Sequence, residues 1–233
     1  MWQGKVLFAG CARNCASALP GVLKNVEAMA SLWVDSAFLF VENDSTDGTK
    51  AILQAWCEAR GKARVLSFDG LGEFCPVRTV RLEKLRKQCL SVLRAEYADY
   101  THLILLDCDE VNIGEMNIDE VRHAVDFLDT DPATAGVFAG QDDLYYDLWA
   151  LRHPALCPGD IWEEVYDYAL AHRVPDAEAF RNTFGKRLFP LPASAPPLEV
   201  DSAFGGLGIY KVASVLGNSR SYAGYKIKRV PVN

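Results

Sequence analysis

Apolar residues come along the first half of the chain in short, separated blocks whose period changes from one block to the next. Lys5-Val6-Leu7-Phe8-Ala9-Gly10 is a continuous run that predicts a buried strand. Leu19, Val22, Leu23, Val26 and Met29 are spaced as one face of a helix over residues 17–31. Ala37-Phe38-Leu39-Phe40-Val41 predicts a second strand. Asp44-Ser45-Thr46-Asp47 then supplies capping residues ahead of a helix whose inner face is expected to hold Ala51, Ile52, Ala55 and Trp56. A short strand at 64–67, a long amphipathic helix from about Arg78 to Tyr97 and a strand at 102–106 ending on Asp107 complete the half. Strands alternating with helices predict crossover units, hence an α/β fold with a mostly parallel sheet covered on both faces.

The second half is less regular. A helix fits residues 117–128, a strand 135–139 and a further helix about 160–172. Five prolines, at 175, 190, 192, 196 and 197, predict a surface loop or flap. Residues 204–210 and 226–230 are expected to be late strands. The sequence has no internal repeat, and one domain is the simplest organisation.

Composition narrows the function classes. With 233 residues, half of them hydrophobic, the chain can bury a substantial core. It contains no apolar run long enough to span a bilayer, so no transmembrane segment is expected. The start is too short and too lightly charged for a signal peptide. A net charge of −7 argues against a general nucleic-acid binder, so any phosphate must be held locally by arginines, amides or a metal. Seven cysteines scattered through apolar segments predict reduced thiols and a cytoplasmic setting. Cys11 and Cys15 lie four apart, but no second ligand pair accompanies them. The four histidines are dispersed without ligand spacing.

The chemistry concentrates where strands end. In a parallel sheet ligands collect beyond the carboxyl ends of the strands. Arg13 and Asn14 follow the first strand, Glu42 and Asn43 the second, and Asp107-Cys108-Asp109 the fourth. Two aspartates at i and i+2, where a buried strand meets solvent, can turn toward one ligand. Their hard oxygens suit Mn²⁺ or Mg²⁺, which also take water and substrate phosphate oxygens.

Val41-Glu42-Asn43-Asp44-Ser45-Thr46-Asp47-Gly48-Thr49 resembles the V-D-D-G-S-T-D-G-T signature of family-2-type GT-A glycosyltransferases. The match is close through Ser-Thr-Asp-Gly-Thr and departs at Glu-Asn-Asp. Asp107-Cys108-Asp109 corresponds to the family's D-x-D motif. The family also carries an arginine on the helix before it, for which Arg81 and Arg86 are the candidates; Arg86 precedes Asp107 by 107 − 86 = 21 residues. The resemblance covers roughly residues 5–140. It implies a GT-A (Rossmann-like) domain with a nucleotide-sugar half to about residue 140 and an acceptor half from about 141 to 233. It further implies a hexosyltransferase activity, with Asp107 and Asp109 holding the metal. Arg13, Asn14, Glu42, Asn43, Arg81, Arg86, Asp107 and Cys108 would border the nucleotide-sugar.

For the acceptor half, Asp143, Tyr145 and Trp149 combine a carboxylate with rings on which sugars stack. Phe204-Gly205-Gly206 resembles the glycine segment lining the donor sugar in several GT-A enzymes. Such enzymes place an acidic base beyond that segment, yet residues 212–233 contain no Asp or Glu. The base is therefore expected at Asp142 or Asp201, with Asp143 a further candidate, unless the enzyme retains configuration or the natural polypeptide continues past Asn233. The expected partners are a nucleoside-diphosphate sugar and a glycan or other hydroxyl acceptor. The alternatives are a non-catalytic nucleotide- or glycan-binding module of the same fold and a nucleotidyltransferase. The last is disfavoured, since Cys11-Ala12-Arg13-Asn14 is no Gly-rich triphosphate loop.

Overall fold

The computed structural model describes residues 1–192 and 194–218, with the backbone alone at 141–143. In chain order the elements are β1 (Trp2–Ala12), α1 (Leu19–Ala30), β2 (Trp33–Glu42), α2 (Thr49–Glu58), β3 (Ala63–Ser67), α3 (Leu71–Phe74), α4 (Arg78–Glu96) and β4 (His102–Asp107). A turn of 3₁₀ helix (Glu110–Asn112) and α5 (Ile118–Thr130) follow, then β5 (Gly136–Phe138), β6 (Gln141–Leu144), α6 (Ile161–His172) and α7 (Asp176–Asn182). The series closes with α8 (Phe184–Arg187), β7 (Pro190–Leu191), β8 (Leu207–Lys211) and α9 (Val212–Gly217).

The described chain forms an α/β fold on a six-stranded sheet of order β3-β2-β1-β4-β8-β5. The β3, β2, β1 and β4 ladders are parallel. Their apolar runs are continuous because both faces are covered: Val6 to Ala9 and Leu39 to Val41 are wholly buried. Chain order runs outward from β1 through β2 to β3, then returns to the other side of β1 for β4. The topological switch therefore lies between β1 and β4, where an open α/β sheet leaves its crevice.

The chain divides into two compact units, one of residues 1–137 with 209 onward and one of residues 138–208. In the first, α1 buries Leu19, Val22, Leu23, Val26 and Met29 as its spacing predicts, and Pro20 sits in its first turn, where a missing N–H costs nothing. The inner face of α2 differs from expectation. Thr49, Leu53 and Cys57 are buried, Ile52 and Trp56 flank them, and Ala51 and Ala55 face solvent. Leucine hides far more apolar area than alanine, so the helix settles in the phase that buries Leu53. Trp56 meets Phe38 and Phe40 edge-on at 5.1 and 5.7 Å.

In the second unit, Tyr145, Leu148, Leu151, Cys157 and Ile161 form a small core. The proline-rich stretch is not all loop: Pro190–Leu191 pairs antiparallel with β6 as an edge strand, a place that tolerates proline. The strand expected at 204–210 begins at Leu207. The one expected at 226–230 lies outside the described residues. No helix among the described residues is long and apolar enough to cross a membrane, and all seven cysteines are free thiols.

Candidate active site

The parallel registers bring three strand ends level. Cys11 pairs with Val41 on one side and with Asp107 on the other, and Ala12 pairs with Glu42. The segments carrying Arg13, Asp44 and Asp109 thus leave the sheet side by side at the switch point.

Cross-bracing fixes the first two loops. Asn14 holds a left-handed backbone (φ 51°), its N–H donates to Ser45 Oγ at 3.1 Å, and its Oδ1 accepts from Thr46 N–H at 2.8 Å. Asp47 accepts from Ala16 N–H at 3.0 Å and from Thr49 N–H at 3.0 Å, which ties the β1–α1 loop to the start of α2. These bonds pull the Asp47 carboxyl below its ordinary range, the Thr49 hydroxyl and amide contributing most. The Ser-Thr-Asp-Gly-Thr segment is therefore scaffold. Asn43 is buried, and its Nδ2 donates to Asp44 Oδ2 at 3.0 Å. Glu42 is fully buried beneath the turn: Oε1 accepts from Ser45 N–H at 2.8 Å, while Oε2 has no partner among the described residues.

Over this scaffold opens a cleft of about 470 Å³ lined by Arg13, Asp44, Thr46, Gly70, Gly72, Glu73, Pro76 and Arg81. Of the two candidate arginines, Arg81 borders the cleft and donates through Nη1 to the carbonyls of Cys75 at 2.8 Å and Pro76 at 2.7 Å. Arg86 instead places Nη2 3.7 Å from Asp107 Oδ1, both side chains about one-third exposed.

At the end of β4, Asp109 is exposed and caps the 3₁₀ turn, accepting from Val111 N–H at 3.3 Å. Cys108 points inward and is buried, which pushes its thiol well up. A Cβ on Gly10 would lie 2.6 Å from its sulfur. Only glycine there lets the strand end close over Cys108, and the two aspartates are left outermost. Among the described residues no group of three or more His, Cys, Asp or Glu could hold a metal. Two hard carboxylates fit Mn²⁺ or Mg²⁺ when a diphosphate supplies further oxygens, the usual way Mg²⁺ is held.

Sequence reasoning overlooked a buried support for this turn. Asn112 donates to the Asp107 carbonyl at 2.8 Å. Asn25 of α1 donates to the carbonyls of Asn112 at 2.9 Å and Gly114 at 2.6 Å, and accepts from Met116 N–H at 3.2 Å. The signal was an asparagine inside the apolar stripe of α1, between Val22 and Val26.

Tyr145 is buried, its ring stacked on Phe189 at 5.8 Å and its hydroxyl accepting from Phe204 N–H at 3.3 Å. Burial raises its pKa to about 12. Trp149 is partly buried against the same core. Gly205 and Gly206 take left-handed φ of 66° and 88°. Gly205 N–H donates to Asp147 Oδ2 at 3.1 Å, a bond that singles out Asp147, which the sequence reading passed over. Asp201 is exposed, its N–H donating to the Arg152 carbonyl at 2.9 Å. Asp142 and Asp143 lie in β6, and their side chains fall outside the described residues.

No family model matches the chain, and no curated protein matches it. Among solved structures it is similar to a mannosyltransferase from Pyrobaculum calidifontis in complex with GDP-Man and Mn²⁺. The identity is 15%, over 96% of this chain and 48% of that one, with a TM-score of 0.48. It is also similar to the glucosyl-3-phosphoglycerate synthase of Mycobacterium tuberculosis in complex with UDP (16% identity, 90% and 57% of the two chains, TM-score 0.42). A third similar structure is S. aureus TarS 1-349 (13%, 82% and 59%, TM-score 0.42). The chain spans about half to three-fifths of the length of these proteins. Residue roles therefore rest on this chain's own side chains.

Proposed function

We propose that the chain is a metal-dependent glycosyltransferase that moves a sugar from a nucleoside diphosphate to a hydroxyl acceptor. The observation that carries this reading is the convergence at the switch point. Asp107, register partner of Cys11, stands opposite Arg86 at the ends of β1 and β4, and a cleft bordered by Arg13 and Arg81 opens over the loops that follow β1, β2 and β3. A nucleoside fits the cleft's size and its mixed lining, and a diphosphate needs the cations that surround it in an otherwise acidic protein. Asp107 and Asp109 would hold the divalent ion, which supplies charge neutralisation of the departing diphosphate when bound. Arg86, 3.7 Å from Asp107, would share that charge. Glu42 and Asn43 shape the turn that carries Asp44 and Thr46 into the cleft. Asp142 and Asp201 are proposed for the acceptor's proton, and Asp143, Tyr145, Trp149 and Phe204 to Gly206 for the sugar-binding half.

The test is a thermal-shift series with UDP, GDP and CDP, each with Mn²⁺ and with EDTA. A ligand that binds the folded state raises Tm by mass action. At least one diphosphate should raise Tm with Mn²⁺ and lose the effect in EDTA; no shift from any of them defeats the reading. Release of free sugar from the matching donor then separates an enzyme from a binding module.

A further inference from the structure

We infer that Asp44 is a positioning residue for the nucleoside, acting through the Gly70–Gly72 loop that it holds as the far wall of the cleft. The inference rests on the functional reading above. The residue stands where the resembling signature has glycine, and the structure shows why that position is special. Asp44 has a left-handed backbone, φ 49°. Glycine takes this conformation freely, and among other residues Asp and Asn tolerate it best. Aspartate adds a carboxylate, and the carboxylate crosses the cleft. Its Oδ1 accepts from Gly70 N–H at 2.5 Å and its Oδ2 from Gly72 N–H at 2.7 Å. Asn43 Nδ2, buried beneath the turn, donates to Oδ2 at 3.0 Å.

Asp44 is thus the point where the two walls meet. The near wall is Asp44 and Thr46; the far wall is Gly70, Gly72, Glu73 and Pro76. The far wall is held twice: Asp44 grips it at 70–72, and Arg81 grips it at Cys75 and Pro76. Between those grips Leu71 packs against the core and Glu73 N–H donates to the Gly70 carbonyl at 3.1 Å, but neither contact satisfies the Gly70 and Gly72 amides. The four-residue α3 buries no side chain, and Phe74 is 88% exposed. The approach at Gly72 is also tight, since a Cβ there would lie 3.2 Å from Asp44 Oδ2 and 3.9 Å from Arg13 Nη2. Without the carboxylate, the Gly70 and Gly72 amides lose their acceptor and the 70–72 backbone is less firmly held against the cleft. Preorganising a wall lowers the ordering cost on binding, so its loss raises donor KM and leaves the chemical step unchanged.

The experiment compares Asp44→Gly, Asp44→Ala and Asp44→Asn in donor kinetics, with amide hydrogen exchange at Gly70 and Gly72. A residue needed for its backbone alone would make Asp44→Gly harmless and Asp44→Ala harmful. The positioning role predicts that both raise donor KM about tenfold or more, the order expected for losing hydrogen bonds to a charged group, with kcat within about twofold. Asp44→Asn keeps the backbone preference and one acceptor oxygen, so it should recover part of the loss. Gly70 and Gly72 should exchange faster in the glycine variant even without nucleotide. Unchanged donor KM in Asp44→Gly would overturn this assignment alone. If the unaltered protein binds no nucleoside diphosphate, the functional reading falls and takes the assignment with it, whatever the exchange rates show.

Discussion

Arg86 Nη2 stands 3.7 Å from Asp107 Oδ1, the last residue of β4, so a cation and a carboxylate share the mouth of the switch point. At about one-third exposure such a pair contributes little to stability, about 0–1 kcal/mol. Its interest is what it offers a diphosphate. Arg86→Gln is expected to leave Tm nearly unchanged while weakening nucleoside-diphosphate affinity about 10- to 100-fold, the range for losing charge-assisted hydrogen bonds. Isothermal titration with Mn²⁺ present checks this, and equal affinities would remove Arg86 from the site.

Metal and nucleotide should bind together. With two carboxylates and, among the described residues, no third ligand group beside them, Mn²⁺ alone is expected to bind weakly. The diphosphate should tighten it strongly by completing the shell. Water-proton relaxation with Mn²⁺, measured with and without UDP or GDP, reads this directly. Asp109→Ala should abolish the nucleotide-dependent part without loss of fold, because Asp109 is exposed. Tight Mn²⁺ binding in the absence of nucleotide would mean that further ligands exist.

The sheet and its helices were legible because period speaks for burial. Continuous apolar runs gave the strands, and the i, i+3, i+4 spacing gave α1. The phase of α2 was misread because two alanines counted as apolar without burying enough area to orient a helix. Arg13 and the Asp44 loop do follow β1 and β2, and β4 does end on Asp107, as the apolar runs implied. They could not show that Cys108 turns inward, since that depends on Gly10 of a neighbouring strand. Nor could they separate Arg81 from Arg86: both sit on α4, and only the partners differ, Cys75 and Pro76 carbonyls for one and Asp107 for the other. Asn25 and Asn112 were invisible for the same reason. Their role lies in contacts 87 residues apart.

That support makes a stability prediction. Asn25→Leu keeps the branched shape but strands two carbonyls and one amide of the 112–116 segment, at a cost of about 2–4 kcal/mol. Tm should fall accordingly, and nucleotide-dependent Mn²⁺ affinity should fall with it, because Asn112 also holds the Asp107 carbonyl. A lowered Tm with metal affinity intact would show that the aspartate turn stands without Asn25.

Tyr145 gives the second unit an alkaline limit. Burial raises its pKa from the ordinary 10 to about 12, so the folded state holds the phenolic proton more firmly than the unfolded chain. The associated stability is fully present below about pH 10 and is lost as pH rises toward 12; two units correspond to about 2–3 kcal/mol. Tyrosinate absorbance followed alongside unfolding should show this phenol ionising with the transition. Tyr145→Phe should remove that pH dependence while costing about 1 kcal/mol at neutral pH, as Phe204 N–H loses its acceptor.

The catalytic carboxylate is the final prediction. Transfer to a hydroxyl needs a group that takes the proton as the new bond forms, and a positioned base is worth about 10²–10⁴-fold. Residues 212–233 contain no Asp or Glu, so within this sequence the base must precede them. Asp201 and Asp142 are the proposed sources. Asp201 is exposed, and the hydrogen bond that fixes its place runs through its backbone N–H to Arg152, so Asp201→Asn should not unfold the chain. Asp142→Asn is likewise isosteric. For at least one of the two, kcat should fall about 10²-fold or more while nucleotide affinity stays put. A drop in nucleotide affinity of the same size would instead mark a binding residue. Full turnover in both variants, measured with a donor that the unaltered protein uses, would exclude both and move the search to Asp143 and Asp147.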